Sequence, residues 1–257
     1  MQDRYIADEA KVNISSLEAE TVMKSTPVST VTSILGRIGI EYEEGLPKEA
    51  YIAAFKEEFC SEPKWVLLML PKMMLDFLME VWENPVVEMS EERWNYVEYL
   101  KIFGFLAYRM GNSISDEPNQ ILVVDEMKDR FYFLLKSRKS QKVLSVYEEW
   151  EKIITGYMYY YGFIETRTLY SLFLKVSKKV VSYEEFILFI KCRSSMWAFG
   201  AILKDFTGKD EYFQYLSVEN ADLLLTYIRE HEELPYKPVK IEDLIYVSDA
   251  AGIDNRW

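Results

Sequence analysis

Apolar side chains recur every three or four residues along most of the chain, which is the period of an amphipathic α-helix. Ile34, Leu35 and Ile38 mark the first such face, and Pro47 stands in the first turn of the next helix, where proline is well tolerated. The residues before Pro27 show no strong period and are predicted to form a loosely packed arm or one marginal helix. Helices are predicted over residues 28–38, 47–59, 71–82, 90–104, 125–137, 143–161, 182–193, 220–231 and 241–250, with another beginning at residue 166.

Polar residues at the predicted helix starts support these boundaries. Ser90 precedes two glutamates, which complement the positive end of the helix dipole. Ser182 is followed three residues later by Glu185, which is the spacing of a capping box. Asp125 and Asn220 are predicted to cap two further helices.

Two stretches break the helical period and predict β-hairpins. The first joins residues 105–108 to residues 121–124 across a loop rich in Gly, Asn, Ser, Asp and Pro. The second joins residues 196–203 to residues 211–218 across Thr207-Gly208-Lys209-Asp210. Each hairpin follows helices and precedes another helix, so the two halves of the chain share one order of elements.

The shared order predicts two copies of one module of roughly 90 residues. The alternative is a chance similarity between amphipathic helices. A shift of 94 positions aligns Leu75 with Leu169, Leu78 with Leu172 and Val124 with Val218, and a shift of 92 aligns Ser90 with Ser182.

Helices followed by a hairpin have the order of a winged helix, so the predicted fold class is mainly α with small β-hairpins, in tandem winged-helix-like modules. The helices at 90–103 and 182–193 would enter a DNA groove. They carry mainly Trp, Tyr, Phe and Ile, whereas reading bases requires exposed Arg, Lys, Asn or Gln, so we interpret them as core helices. The predicted domains are an N-terminal arm and helix over 1–45, modules over 46–140 and 141–233, and a tail helix over 234–257.

The composition favours a folded protein that repels anions. Of the 257 residues, 49% are hydrophobic, and the net charge of −12 disfavours nonspecific binding to nucleic acid or anionic membranes. The N-terminus lacks an apolar signal core and no run of about 18 apolar residues occurs, so we expect a cytoplasmic protein without a membrane segment. Cys60 and Cys192 lie far apart without a CxxC partner, which predicts buried thiols rather than a disulfide framework or a zinc site.

No residue pattern indicates a catalytic centre, a metal site or a cofactor. His231 is the only histidine and lies among glutamates at a predicted helix end, which is typical of a solvated side chain. No phosphate-binding glycine loop, HExxH motif or EF-hand loop occurs. We therefore expect a protein that is not an enzyme. A hydrolase or transferase built from distant carboxylates is the least supported alternative.

A basic run between the two predicted modules is the candidate site for nucleic acid. It consists of Lys136, Arg138, Lys139 and Lys142. Such runs are typical of solvated loops, and the alternatives are contact with nucleic acid or with a partner protein.

A tyrosine cluster at the end of the helix predicted over 143–161 is the candidate partner-binding site. It consists of Tyr157, Tyr159, Tyr160 and Tyr161. These side chains point around most of the circumference of a helix, so some must be buried and others exposed. Packing and a protein interface are the two main interpretations, and base stacking is a further alternative.

Three short segments carry a family resemblance: Leu46-Pro47-Lys48-Glu49, Tyr160-Tyr161-Gly162-Phe163-Ile164 with Leu169-Tyr170, and Leu234-Pro235-Tyr236-Lys237-Pro238. They resemble stretches of a group of uncharacterised bacterial proteins. Those proteins combine units similar to the Rho termination factor N-terminal domain with winged-helix-like modules, and some end in a SEC-C zinc motif. After Gly252 this sequence has only five residues and no cysteine cluster, so the resemblance implies no zinc site here.

These observations predict a non-enzymatic protein-interaction module of a cytoplasmic bacterial protein, whose partner is another protein or a second copy of itself. The alternative is a nucleic-acid-associated regulator that uses the winged-helix-like modules and the basic segment 136–142.

Overall fold

The structure is a computed structural model that describes residues 11–17, 27–37, 40, 42–62, 64–109, 111, 119–196, 200–204, 211–215, 218–231, 236 and 239–250. These residues form eleven helices and seven strands, which confirms the prediction of a mainly helical fold with small sheets. The chain divides into two compact units, Met1–Val143 (unit 1) and Leu144–Trp257 (unit 2).

Unit 1 combines a mixed sheet with helices. Its strands are β1 (Lys11–Leu17), β2 (Val86–Glu88), β3 (Leu106–Arg109) and β4 (Gln120–Val124), and its helices are α1 (Val28–Arg37), α2 (Lys48–Ser61), α3 (Lys64–Met69), α4 (Lys72–Glu83), α5 (Glu91–Ile102) and α6 (Asp125–Lys136).

The next helix, α7 (Arg138–Tyr161), continues into unit 2. Unit 2 also contains β5 (Phe163–Glu165), α8 (Thr166–Val176), α9 (Tyr183–Met196), β6 (Ala201–Lys204), β7 (Glu211–Gln214), α10 (Ala221–Glu230) and α11 (Ile241–Ala250).

The N-terminal segment departs from its prediction. Strand β1 lies inside the sheet of unit 1, whose order is β2-β1-β4-β3, and Val12 is buried. It pairs parallel with β4, with Ser15 beside Leu122, and antiparallel with β2. The prediction of an arm or a marginal helix is therefore wrong for Lys11–Leu17, because the pairing that stabilises this strand comes from residues distant in sequence.

The predicted helix caps are confirmed at the two serines. Ser90 Oγ accepts a hydrogen bond from the Arg93 N–H at 3.2 Å. The capping box is reciprocal, because Glu185 N–H donates to Ser182 Oγ at 3.2 Å and Ser182 N–H donates to the Glu185 carboxylate at 3.1 Å. The predicted cap at Asp125 is wrong, because Asp125 is the first residue of α6. Asn220 occupies the cap position of α10 as predicted, but its side chain makes no capping hydrogen bond.

Both predicted hairpins are present as antiparallel pairs. Strand β3 pairs with β4, and β6 pairs with β7. Two helices come directly before each hairpin, α4 and α5 in unit 1 and α8 and α9 in unit 2, and one helix directly follows it, but the sheets differ. The described part of unit 2 has the order β5-β7-β6 with only antiparallel pairs, whereas in unit 1 the parallel strand β1 separates β2 from β4.

Aromatic side chains fill the core of unit 1. Phe59 stacks on Phe55 with ring centroids 4.8 Å apart and on Phe103 at 5.4 Å, and Phe105 lies edge-on to Phe59 at 6.3 Å. Phe131 of α6 completes the cluster 5.6 Å from Phe105. The cluster therefore joins α2 and α6 to the residues between α5 and β3.

The core of unit 2 contains a buried ion pair between α7 and α9. Arg193 Nε lies 3.9 Å from Glu151 Oε2, and the two residues are 1% and 3% exposed. The guanidinium also lies over the Phe189 ring at 5.4 Å. Burial lowers the pKa of Arg193, and the nearby Glu151 carboxylate opposes that shift.

Breaking this pair is expected to be costly. Arg193→Met should lower the free energy of unfolding by about 3–5 kcal/mol, because it leaves the Glu151 charge buried without its counterion. Urea denaturation followed by circular dichroism measures the change. The double variant Glu151→Leu/Arg193→Met removes both charges and should recover most of the loss. Equal stability of Arg193→Met and the wild type would contradict this account of the core.

Helix α11 crosses α7 at a glycine. A Cβ atom at Gly156 would lie 2.5 Å from the Leu244 carbonyl oxygen and 2.7 Å from its Cα. Leu244 and Ser248 are fully buried, and Lys152 Nζ lies 3.0 Å from Asp249 Oδ1. The close approach of the two backbones therefore depends on the missing side chain.

Gly156→Ala should loosen α11. Because the added methyl group overlaps backbone atoms, hydrogen exchange across Ile241–Ala250 should speed up, and the free energy of unfolding should fall by about 1–3 kcal/mol. The matched control is Gly36→Ala in α1, where an added Cβ meets no atom within 4 Å. This control should be neutral or stabilise by up to about 1 kcal/mol. Unchanged exchange in α11 of the Gly156→Ala protein would refute the contact.

Candidate functional site

The tyrosine cluster at the end of α7 separates into packed and exposed members. Tyr157 is buried, and its hydroxyl donates to the Leu172 carbonyl at 3.2 Å. Its ring stacks on that of Tyr161 with centroids 5.9 Å apart. Burial raises the pKa of Tyr157 to about 12, and the nearby Tyr161 adds to the shift. Tyr157 therefore serves the core.

Tyr161 also packs within unit 2. Its ring meets the Tyr236 ring edge-on at 4.9 Å. Burial raises the pKa of Tyr161, and it raises that of Tyr236 to about 12. Positions 157 and 161 are four residues apart and share a helix face, which explains why these two rings pack together.

Tyr159 and Tyr160 occupy the remaining directions around the helix and are exposed, with 55% and 46% of their surface accessible. Their rings form an edge-to-face pair with centroids 5.7 Å apart and an interplanar angle of 87°. The predicted division into buried and exposed tyrosines is confirmed. We refer to Tyr159 and Tyr160 as the exposed tyrosine pair.

The backbone directly after the cluster is fixed by Gly162. Its φ of +67° lies in the left-handed region, and its N–H donates to the Met158 carbonyl at 2.8 Å, which ends α7. Its carbonyl accepts a hydrogen bond from the Tyr215 N–H at 2.7 Å. A Cβ at this position would lie 2.9 Å from Val218 Cγ2. The exposed tyrosine pair thus lies at a helix end whose following residue, Gly162, is hydrogen-bonded to the backbone of Tyr215.

All four candidate basic residues are helical, so the interpretation as a loop is wrong for Arg138, Lys139 and Lys142, which lie outside the predicted helices. Lys136 ends α6, and Arg138, Lys139 and Lys142 lie in the first turns of α7. Ser137 alone separates the two helices, and its Oγ accepts from the Ser140 N–H at 3.2 Å. This hydrogen bond caps the first turn of α7, so the second helix begins directly after Ser137.

Lys136 is exposed, as are Arg138, Lys139 and Lys142, but it is also engaged within unit 1. Its Nζ lies 2.5 Å from Glu83 Oε1 and donates to the Tyr132 hydroxyl at 2.8 Å. The Tyr132 hydroxyl in turn donates to Glu83 Oε1 at 3.0 Å. Lys136 therefore differs from the other three predicted basic residues, because its ammonium group is bonded to Glu83 and Tyr132.

The Glu83 network predicts a measurable titration. Hydrogen bonds from Lys136 and Tyr132 hold the pKa of Glu83 below its ordinary value of 4.5. Lys136→Met should raise the pKa of Glu83 toward 4.5, because the stronger donor is lost. A pH titration of the Glu83 side chain by NMR measures it, with Lys139→Met as the control that leaves the pKa unchanged. An unaltered Glu83 titration in Lys136→Met would show that Lys136 is not engaged there.

The other sequence candidates show no catalytic arrangement. His231 lies at the end of α10, where its ring stacks on Tyr227 at 4.2 Å and Nδ1 lies 2.9 Å from the Tyr227 carbonyl oxygen. Cys192 is buried, as predicted, and the side chain of Cys60 lies outside the described part. The described residues contain no cluster of His, Cys, Asp and Glu that could hold a metal ion.

Sequence reasoning missed a second exposed apolar strip, on α10. Leu223 and Tyr227 are 69% and 55% exposed, while Leu225 of the same helix packs against Phe163 and Tyr212. The spacing in the sequence could have predicted this exposure. Positions 223 and 227 lie one helical turn apart, on a different face from the buried Leu225.

Comparison with protein-family models, with curated proteins and with solved structures found no match to the chain. Among the described helices, none combines the length and the apolar character needed to cross a bilayer.

Proposed function

We propose that this protein is a non-enzymatic protein-interaction module of a cytoplasmic protein, and that the exposed tyrosine pair contacts the partner. The single observation that carries the proposal is the edge-to-face pair of Tyr159 and Tyr160, exposed side by side on the helix whose Tyr157 and Tyr161 are packed.

The physical chemistry of tyrosine supports this use. A tyrosine ring offers a large apolar surface with few rotatable bonds, and its hydroxyl accepts or donates a hydrogen bond, so it binds partners at a low entropic cost. Residues that dominate binding energies are enriched in Tyr, Trp and Arg and cluster at the centre of interfaces. Because α7 carries both rings on one helix end, a partner would meet a preorganised surface.

We further propose that unit 2 is a winged-helix-like module. Its elements follow the order α7, β5, α8, α9, β6 and β7, and the strand that precedes α8 joins the hairpin as β5-β7-β6. The segment from α4 to α6 is proposed as a second copy of the part from α8 to α10, since both place two helices before a hairpin and one after it. The parallel strand β1 is the main departure of unit 1 from this scheme.

The nucleic-acid alternative has less support. The helix that would enter a DNA groove, α9, exposes Glu184 and Glu185, and its Lys191 lies 3.6 Å from Glu211. Lys136 is held by Glu83. Phosphate binding depends on uncompensated cations, and the exposed candidates that remain are Arg138, Lys139 and Lys142.

Removing the exposed tyrosine pair should weaken partner binding without affecting the fold. The wild-type protein is expected to self-associate or to retain a specific protein on affinity capture from lysate. Tyr159→Ala/Tyr160→Ala should weaken that association at least about tenfold, which corresponds to about 1.4 kcal/mol, because both rings lose their buried contact area. Light scattering after size-exclusion chromatography and quantitative affinity capture measure the two forms of association.

The matched control is Tyr246→Ala, which removes a 72% exposed tyrosine of the same unit from α11. It should bind like the wild type. A strictly monomeric wild-type protein that retains no partner would contradict the proposal, and so would equal binding by the double variant.

A further inference from the structure

Helix α10 is attached to unit 2 by one face. Its Leu225 is buried in a cluster with Phe163 of β5 and Tyr212 of β7, whose rings stack with centroids 5.0 Å apart. Three further residues of the helix pack against this cluster: Ala221, Leu224 and Ile228. Because these contacts extend over two turns, they fix the orientation of the helix and turn its opposite face toward solvent.

The opposite face carries the α10 strip, which consists of Leu223 and Tyr227. These side chains are 69% and 55% exposed and lie one helical turn apart. The ring of His231 continues the row, because it stacks on the Tyr227 ring with centroids 4.2 Å apart and an interplanar angle of 22°. A row of side chains at every fourth position forms the ridge that packs into the groove of another helix. The α10 strip therefore has a shape that suits a helical partner.

The surroundings of the α10 strip are acidic. Glu219, Asp222 and Glu230 are exposed and lie near the two ends of the helix, and the sequence over 218–233 contains five acidic residues and one arginine. The helix dipole favours Asp222 in the first turn but disfavours Glu230 at the last residue, so helix stability does not explain this charge. Carboxylates on both sides of an apolar strip complement an apolar surface flanked by lysine or arginine. They disfavour the same strip of a second copy, because like charges would meet.

We propose that the α10 strip binds a basic amphipathic helix of a partner protein. The apolar face of that helix would cover Leu223 and Tyr227, and its lysines or arginines would face Asp222 and Glu230. Apolar anchors at this spacing are the usual contacts between an amphipathic helix and its binding surface. The carboxylates would speed encounter and select the charge of the partner, whereas burial of the two apolar side chains would supply affinity. This inference goes beyond the proposed function, because it adds a second surface and the chemistry of its occupant.

Fluorescence anisotropy of labelled peptides mixed with the full-length protein tests this proposal. The probe is a peptide of about 18 leucine and lysine residues, with the leucines on one helical face. A scrambled peptide of the same composition keeps the charge but loses the apolar face, and a third peptide replaces each lysine by glutamate. The probe should bind with a dissociation constant of about 100 μM or tighter, and each of the other two peptides should bind at least about tenfold more weakly.

Two double variants assign the binding to the α10 strip. Leu223→Ala/Tyr227→Ala removes the apolar side chains and should weaken binding of the probe at least about tenfold. Asp222→Asn/Glu230→Gln removes the charges but keeps the shapes, and should weaken it at least about threefold at about 50 mM salt. All four side chains are exposed, so both variants should keep the fold, which circular dichroism checks.

Tyr159→Ala/Tyr160→Ala is the matched control, because it removes two exposed rings of unit 2 that lie on α7 rather than on α10. It should bind the probe like the wild type. The proposed function depends on the exposed tyrosine pair and this inference on the α10 strip, so the two can fail separately.

The proposal is overturned if the probe does not bind at about 1 mM, or if the scrambled or glutamate peptide binds as tightly. Equal binding of the probe by Leu223→Ala/Tyr227→Ala and the wild type would also overturn it, as would an equal loss in the control variant. Light scattering adds a further test. If the wild type self-associates and Leu223→Ala/Tyr227→Ala does not, a second copy occupies the strip and the proposal is wrong.

Discussion

In the core of unit 2, two opposite charges that have been removed from water depend on each other. Arg193 of α9 and Glu151 of α7 are both buried and lie 3.9 Å apart. Desolvating either ion alone costs several kcal/mol, and a nearby opposite charge is what offsets that cost. The pair therefore ties the middle of α7 to α9 at one position. Apolar contacts, such as those of Trp150 with Phe173 and Phe189 at about 5.5 Å, fill the space around it.

The position of the exposed tyrosine pair follows from this anchoring. Helix α7 is held at Glu151 by the ion pair, at Gly156 by its close contact with Leu244, and after its last residue by the hydrogen bonds of Gly162. A side chain on such a helix loses less conformational freedom on binding than one on a loose loop. The buried ion pair and the contact at Gly156 thus help to hold in place the helix that carries the exposed tyrosine pair.

Local signals predicted the local structure well. The Ser182 and Glu185 spacing, the two hairpins and the division of the tyrosine cluster all depend on residues within a few positions of one another. Strand β1 was missed, since it is stabilised by pairing with Gln120–Val124, about a hundred residues away. A cavity of unit 1 whose lining includes Ser15, Trp82 and Lys128 was missed for the same reason, because these residues come from separate segments that only the folded chain brings together. The four-residue spacing of Tyr157 and Tyr161 predicts a shared face, but only the core shows which face is buried.

The distribution of charge limits what can approach the molecule. The chain has 42 acidic and 30 basic residues, and several of the basic ones are engaged by carboxylates of the same chain. Arg93, for instance, donates to both carboxylate oxygens of Glu80 at 3.0 and 2.8 Å. The acidic excess attracts cationic partners and repels polyanions at long range. Since that long-range field mainly affects the rate of encounter, the affinity of a protein partner would have to come from contacts such as burial of Tyr159 and Tyr160.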